Sequence, residues 1–178
     1  KEHALSGRPS GILAKMNSLL DNEVIDALYG ASRAGVPIRI IVRGICTLIP
    51  GVPKMSETVQ IISIVGRHLE HARAFRFENG GEPEMYLSSA DWMPRNLIKR
   101  VELMFPIKDP ACFGAVENVL RLQLADTEKS WVLQTGGAYE RKTAGGQTPL
   151  NAQETLLTDI DAICAGCWPH GGAAAAAC

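Results

Sequence analysis

Neither sign of charge dominates this sequence: eighteen basic residues stand against nineteen acidic ones, for a net charge of −1. A general nucleic-acid binder carries a basic excess, so that class is disfavoured. No apolar run reaches the ~18–20 residues that a membrane-crossing helix needs. The best candidate, 36–52, is broken by Arg39, Arg43 and two prolines, Pro37 and Pro50. The opening KEHALSGRPS has no apolar signal-peptide core, and it starts without Met, as expected of a processed chain or a piece of a longer one. The five cysteines are odd in number, two isolated and three crowded into the last fifteen residues. That is no disulfide framework, and it fits a reducing, cytoplasmic compartment. Neither G-x-x-x-x-G-K-[ST] nor G-x-G-x-x-G occurs, so no P-loop and no Rossmann fingerprint supports nucleotide binding. No repeat with a period of about 20–50 residues is visible.

What remains is ordinary for a globular protein: 178 residues, 46% hydrophobic and 21% charged. At ~150 residues per domain that is one domain. Residues 11–17 alternate as a strand, with Leu13, Lys15 and Asn17 on one face and Ala14 and Met16 on the other. Asp21 can cap a helix whose stripe is Val24, Ile25, Leu28 and Tyr29; the polar Ser32 is expected to end the buried face, and Gly35 to stop the helix. The nearly continuous VPIRIIVRG (36–44) suits a buried parallel strand, which makes a right-handed βαβ unit. Residues 44–56 form an apolar, Gly- and Pro-rich loop of the kind that serves as a lid or contact surface. The pattern then predicts a strand over 59–65, one helical turn over 66–70, and a hairpin of His71–Phe77 and Met85–Ser89 turning at Asn79-Gly80-Gly81. A strand over 101–107 follows, then a helix from Pro110 to Leu124 capped by Asp109. A short strand at 131–133, a loop over 135–149 and a last helix capped by Asn151 through Ile163 complete the domain, 1–163. Residues 164–178 are expected to be an irregular tail. The architecture expected is an α/β sandwich around one mixed sheet flanked by helices.

Three positions invite chemistry. Arg43 ends a buried strand just before Gly44 opens a loop, and ligands of open α/β sheets bind beyond the carboxyl ends of strands. A guanidinium there can grip a phosphate through two parallel hydrogen bonds, although a strand-end arginine also often only pairs with a carboxylate. His71 and Arg73, two apart on a strand, share a face. The second hairpin arm leads into SSADWMPRN (88–96), which brings Ser88, Ser89 and Asp91 to the same end. A His-x-basic pair, a hairpin and then Ser-x-Asp resembles the phospholipase D signature, His-x-Lys followed by Gly-Ser-x-Asn, with Arg73 in place of the lysine and Asp91 in place of the asparagine. The shared logic is an imidazole, a fixed cation and hydroxyl or backbone donors around a phosphoryl group. A structural histidine is the plain alternative. Cys164-x-x-Cys167, His170 and Cys178 are zinc-type ligands at a spacing that matches no standard knuckle, and no metal site is expected from them.

The segments KMNSLLDNEVIDALYGASRAGV (15–36), IVRGICTLIPGV (41–52), GRHLEHARAFRFENGG (66–81) and YLSSADWMPRNLIKRVEL (86–103) strongly resemble polyphosphate kinase, and more narrowly the last of its domains. The resemblance implies a phospholipase D-like fold. It also implies reversible transfer of the terminal phosphate of ATP to polyphosphate, with Mg²⁺ and a phosphohistidine that lies in the preceding domain. Carried onto this sequence, the arginine of the VRG motif is Arg43, implied to contact ATP phosphates. The histidine of the LEH motif is His71, implied to bind nucleotide and assist transfer, for instance as a proton donor. Arg73 and Arg95 are added as phosphate contacts from charge and location. The family's HTGNYN-type motif is missing, so the chain resembles one wall of an active site, with ATP or ADP, polyphosphate and the preceding domains as partners and a homo-oligomer as the full-length assembly. The alternative is a nucleotide- or polyphosphate-binding or assembly module without turnover.

Overall fold

The computed structural model describes residues 1–164. In chain order the elements are α1 (Glu2–Leu5), β1 (Ile12–Met16), α2 (Asn22–Arg33), β2 (Ile38–Val42), β3 (Val59–Ile64), β4 (Ala74–Phe77), β5 (Glu84–Ser88), α3 (Pro94–Leu97), β6 (Met104–Pro106), α4 (Pro110–Ala125), β7 (Ser130–Leu133), β8 (Tyr139–Arg141), α5 (Ala152–Thr158) and α6 (Ile160–Cys164). The strands form one eight-stranded sheet in the order β6-β5-β4-β1-β2-β3-β7-β8. Strands β1, β2 and β3 run parallel to one another, and every other pairing is antiparallel. The mixed α/β sandwich expected from the sequence is therefore present.

Side chains alternate across a strand, and here both faces are covered. Ala14, Met16, Ile38, Ile40, Val42 and Ile61 pack with Ile25, Leu28 and Ala31 of α2. On the other face Leu13, Ile41, Ile62, Ile64 and Met85 pack with Leu120 of α4. Each Val, Leu, Ile or Met side chain among these, once fully buried, contributes about 1.5–3 kcal/mol. Both long helices carry the expected caps. The Asp21 side chain accepts from the Val24 N–H and that of Asp109 from the Cys112 N–H, 3.1 and 2.8 Å away. Gly35 takes φ +85°, the left-handed conformation that lets the chain leave α2.

Several expectations need correction. The buried face of α2 does not end before Ser32: that residue is buried, and its hydroxyl accepts from the Thr58 Oγ1–H at 2.8 Å. The loop over 44–56, expected to be a lid or a contact surface, is anchored to the body at two points. Leu48 and Ser56 are buried, Leu48 in the core, and the Ser56 hydroxyl donates to the Ile49 carbonyl at 2.7 Å, leaving Ile45 and Ile49 exposed. Residues 66–70 form no helical turn. A single isolated turn is weak, and the Gln153 side-chain amide takes its place, accepting from the His68 N–H at 3.0 Å and donating to the His68 carbonyl at 2.8 Å. The ladder of β4 starts at Ala74, so His71–Arg73 lead into it instead of belonging to it. The strand foreseen over 101–107 shrinks to three residues at the sheet edge. The loop over 135–149 holds β8, and the last helix breaks at Asp159 into α5 and α6. The tail and the Cys167, His170 and Cys178 ligand reading lie outside the described residues. Among the described residues no helix is long and apolar enough to cross a membrane.

Candidate active site

The topology collects the candidate residues at one end of the central strands. β1 and β2 are parallel and in register at Met16 and Val42, so Asn17 and Arg43 leave the sheet side by side. β4 runs against β1 with Ala74 opposite Lys15, which sets His71 and Arg73 at that same end. β5 returns with Leu87 opposite Ala74, and its continuation carries Asp91. The loop holding Asp91 is fixed from below: Trp92 stacks on Phe75 with ring centroids 4.7 Å apart, and its carbonyl accepts from the Leu20 and Asp21 N–H groups.

A continuous chain of hydrogen bonds joins these residues. Arg43 Nε donates to Asn17 Oδ1 at 3.0 Å. The Asn17 backbone N–H and Nδ2 both donate to Asp91 Oδ1, at 2.7 and 3.2 Å. Arg73 meets Asp91 side-on, Nε to Oδ1 and Nη2 to Oδ2, each at 3.1 Å. Arg73 Nη1 reaches His71, 3.0 Å from Nδ1 and 2.9 Å from the carbonyl oxygen. Arg43 and His71 are thus held apart by one asparagine, whose Nδ2 also lies 3.5 Å from the His71 carbonyl. Burial pushes the Asp91 carboxyl up, but the hydrogen bonds from Arg73 and the Asn17 N–H, with the guanidinium charge, outweigh it and hold the group below its ordinary range. Asp91 is therefore a fixed anion that consumes the Arg73 charge.

A second cluster supports His71 from behind. Glu70 ion-pairs with Lys15 Nζ at 3.3 Å and accepts from Gln123 Nε2 and Gln153 Nε2 at 2.8 and 2.9 Å. The residue before His71 is thereby tied to β1, α4 and α5. Burial lowers the Lys15 ammonium below its ordinary range, partly offset by Glu70. Ser89 Oγ and Asn96 Nδ2 both donate to Glu102, stapling the loop beyond Asp91, and these bonds hold that carboxylate low.

Of the residues singled out in the sequence, Arg43 is half-buried, His71 exposed, and both belong to one network with Arg73 and Asp91. Arg95 stands apart, exposed on α3, with no hydrogen bond or ion pair among the described residues. Asn17, Lys15, Glu70, Gln123 and Gln153 were not foreseen. The available signal was Lys15 and Asn17 on a strand otherwise apolar, because a buried lysine is rare unless paired. No group of three or more His, Cys, Asp and Glu among the described residues suits a metal ion. Both Asp91 oxygens are already taken, so the donor set does not fit Mg²⁺.

The sequence profile described as Polyphosphate kinase C-terminal domain 2 matches residues 1–153. The chain belongs to the polyphosphate kinase family. It is 53% identical over 160 residues to the polyphosphate kinase of Rhodopirellula baltica, which covers 89% of this chain and 19% of that protein. To polyphosphate kinase 1 of Chlorobaculum tepidum it is 55% identical over 159 residues, covering 88% of this chain and 23% of the relative. The chain thus spans about a fifth of the length of the curated relatives it matches. The crystal structure of polyphosphate kinase from Porphyromonas gingivalis superposes with a TM-score of 0.84 at 39% identity, over 87% of this chain and 24% of that one. Nuc of Salmonella typhimurium, a phospholipase D family member, matches at TM-score 0.54 and 12% identity over 74% of this chain and 86% of its own, which shows the fold alone.

Proposed function

We propose that this domain supplies one wall of a polyphosphate kinase active site, where the terminal phosphate of ATP passes reversibly to inorganic polyphosphate through a phosphohistidine carried by a preceding domain. The observation that carries this reading is charge left over at the ends of the central strands. Arg73 is neutralised by Asp91 and Lys15 by Glu70, whereas among the described residues the Arg43 side chain bonds only to neutral Asn17, through Nε. Its two terminal amino groups remain for an anion, in the fork geometry that matches two phosphate oxygens. His71 joins the network through its main-chain carbonyl and through Arg73, and its exposed ring is read as meeting the same phosphoryl group. Arg73 serves the site chiefly by holding Asp91 and His71, and Arg95 remains a phosphate contact from the rim.

Phosphoryl transfer depends on positioning and on charge stabilisation from several sides. One wall provides part of that, so the isolated domain binds nucleotide and polyphosphate weakly and turns over little. Mg²⁺ enters with the nucleotide phosphates, its usual route, and not on carboxylates of this domain. The free thiols of Cys46 and Cys112 suit a reducing cytoplasm, and the full-length protein is read as a homo-oligomer built with the preceding domains.

The test is calorimetric titration of this chain with ADP and with polyphosphate, beside a polyphosphate-synthesis assay of the full-length protein. Arg43→Ala is expected to abolish measurable binding, and Arg43→Ala and His71→Ala each to cut synthesis at least ~100-fold. Unchanged synthesis in both variants would refute the reading. Binding by the isolated chain with no effect of either substitution on synthesis would favour the second reading, a binding module without a catalytic part.

A further inference from the structure

We infer that Arg73 is a positioning residue that fixes His71 in the tautomer with its proton on Nε2, making His71 a hydrogen-bond donor that neither attacks nor accepts the phosphoryl group. The inference rests on the reading of His71 as an active-site residue, and it starts from donor counting. A guanidinium has only N–H donors. Nη1 of Arg73 lies 3.0 Å from His71 Nδ1, so that nitrogen must present its lone pair, and the ring proton sits on Nε2. The same Nη1 donates to the His71 carbonyl at 2.9 Å, so one amino group grips the ring and the main chain together.

Arg73 has no freedom to let go. Its Nε and Nη2 are engaged side-on by Asp91, the side chains of the pair are only 12% and 9% exposed, and Asp91 is itself held by Asn17. The other charged groups around His71 are Arg43 beyond β2, Lys15 of β1 paired with Glu70, Glu102 behind the Asp91 loop, and Arg67 and His68 in the preceding segment. Among the described residues none of these bonds to the ring; Arg73 does.

The chemical consequence is specific. The uncharged ring offers Nε2–H to an anionic oxygen, so donation does not require an imidazolium. Both nitrogens are closed to nucleophilic use, Nδ1 by Arg73 and Nε2 by its own proton. A doubly protonated ring would have to break the Arg73 contact, because two N–H groups cannot share one hydrogen bond. His71 therefore stabilises charge on a phosphoryl oxygen without transferring its proton, and no covalent bond to it forms or breaks.

Two measurements test this. The first is ¹⁵N NMR of the histidine rings of this chain, with His71→Gln identifying the His71 signals. At neutral pH the His71 ring should show an unprotonated Nδ1 and a protonated Nε2. A proton on Nδ1, or a doubly protonated ring, overturns the inference whatever the enzyme does. The second uses Arg73→Lys in the full-length protein, chosen because a lysine can still pair with Asp91 but cannot span Asp91 and Nδ1 together. Polyphosphate synthesis should fall roughly 10–100-fold through kcat with KM little changed. Wild-type kcat and KM in Arg73→Lys overturn the positioning role. The expected NMR tautomer combined with normal synthesis in His71→Ala sinks the active-site reading instead, which keeps the two failures distinguishable.

Discussion

Removing the Asp91 carboxylate should cost this domain about 3–5 kcal/mol, the range for breaking a buried ion pair from one side. Asp91 accepts from Asn17 N, Asn17 Nδ2, Arg73 Nε and Arg73 Nη2, and it is 6% exposed. Hydrogen bonds to a charged group are worth about 1.5–3 kcal/mol each, so simple addition would overshoot. The dominant loss is the Arg73 guanidinium left unpaired in a largely dry position, together with an orphaned Asn17 N–H. Because whole-domain stabilities run about 5–15 kcal/mol, Asp91→Ala takes a large share. Urea unfolding followed by circular dichroism should show a lower midpoint at an unchanged slope. The double variant Asp91→Leu/Arg73→Met, which leaves neither charge, should recover most of the loss, and a loss equal to the sum of the two single losses would mean the pair is not coupled. The pH dependence adds a check. A carboxylate held below its unfolded value contributes stability that is fully present above the unfolded pKa and disappears as pH falls through the folded one. The gap between wild type and Asp91→Asn should therefore close in acid, below the ordinary value of 3.8. A loss under ~1 kcal/mol for Asp91→Ala, measured at neutral pH, would refute the buried-pair reasoning.

Further outcomes follow from the Lys15–Glu70 pair and from a second buried carboxylate, Asp126. Lys15→Met and Glu70→Ala, each stranding a buried partner, should each cost about 3–5 kcal/mol, while Lys15→Met/Glu70→Gln, which leaves neither charge, should recover most of the loss, and additive losses in thermal unfolding would contradict this. Since the folded Lys15 pKa lies below its ordinary 10.5, the unfolded chain binds the proton more tightly, and stability should rise with pH across that interval in the wild type but not in Lys15→Met. Asp126, fully buried, accepts from the N–H groups of Lys129, Ser130 and Ala152 at 2.7, 2.9 and 2.7 Å. Asp126→Ala should cost about 2–4 kcal/mol and speed amide exchange at Ser130 and Ala152, and unaltered exchange there would count against its role as a strand-to-helix tie.

The legible parts of this chain were those governed by local rules. The caps at Asp21, Asp109 and Asn151 announce their helices, and the branched run at 36–44 announces a strand buried on both faces. Arg43 and His71 could be picked out because each sits beside a strand end. What stayed hidden depends on partners distant in sequence. Ser32 is buried because Thr58 supplies a hydroxyl, and the predicted turn over 66–70 gives way to the Gln153 amide, contacts that no periodicity encodes. Arg73 looked like a free cation for phosphate until Asp91, eighteen residues later, was found to occupy it. Asn17 carried no motif of its own, yet it is the link between Arg43 and the rest.

The two borders of the sheet are each only three residues long. One contains Pro106, which has no N–H to offer, and the other carries Glu140 and Arg141 side by side. A foreign strand arriving at either margin finds too little open backbone to dock along, which is how natural sheets avoid edge-to-edge growth. The sheet ends itself, and concentrated solutions should stay free of thioflavin-positive fibres without a covering protein to guard the rims.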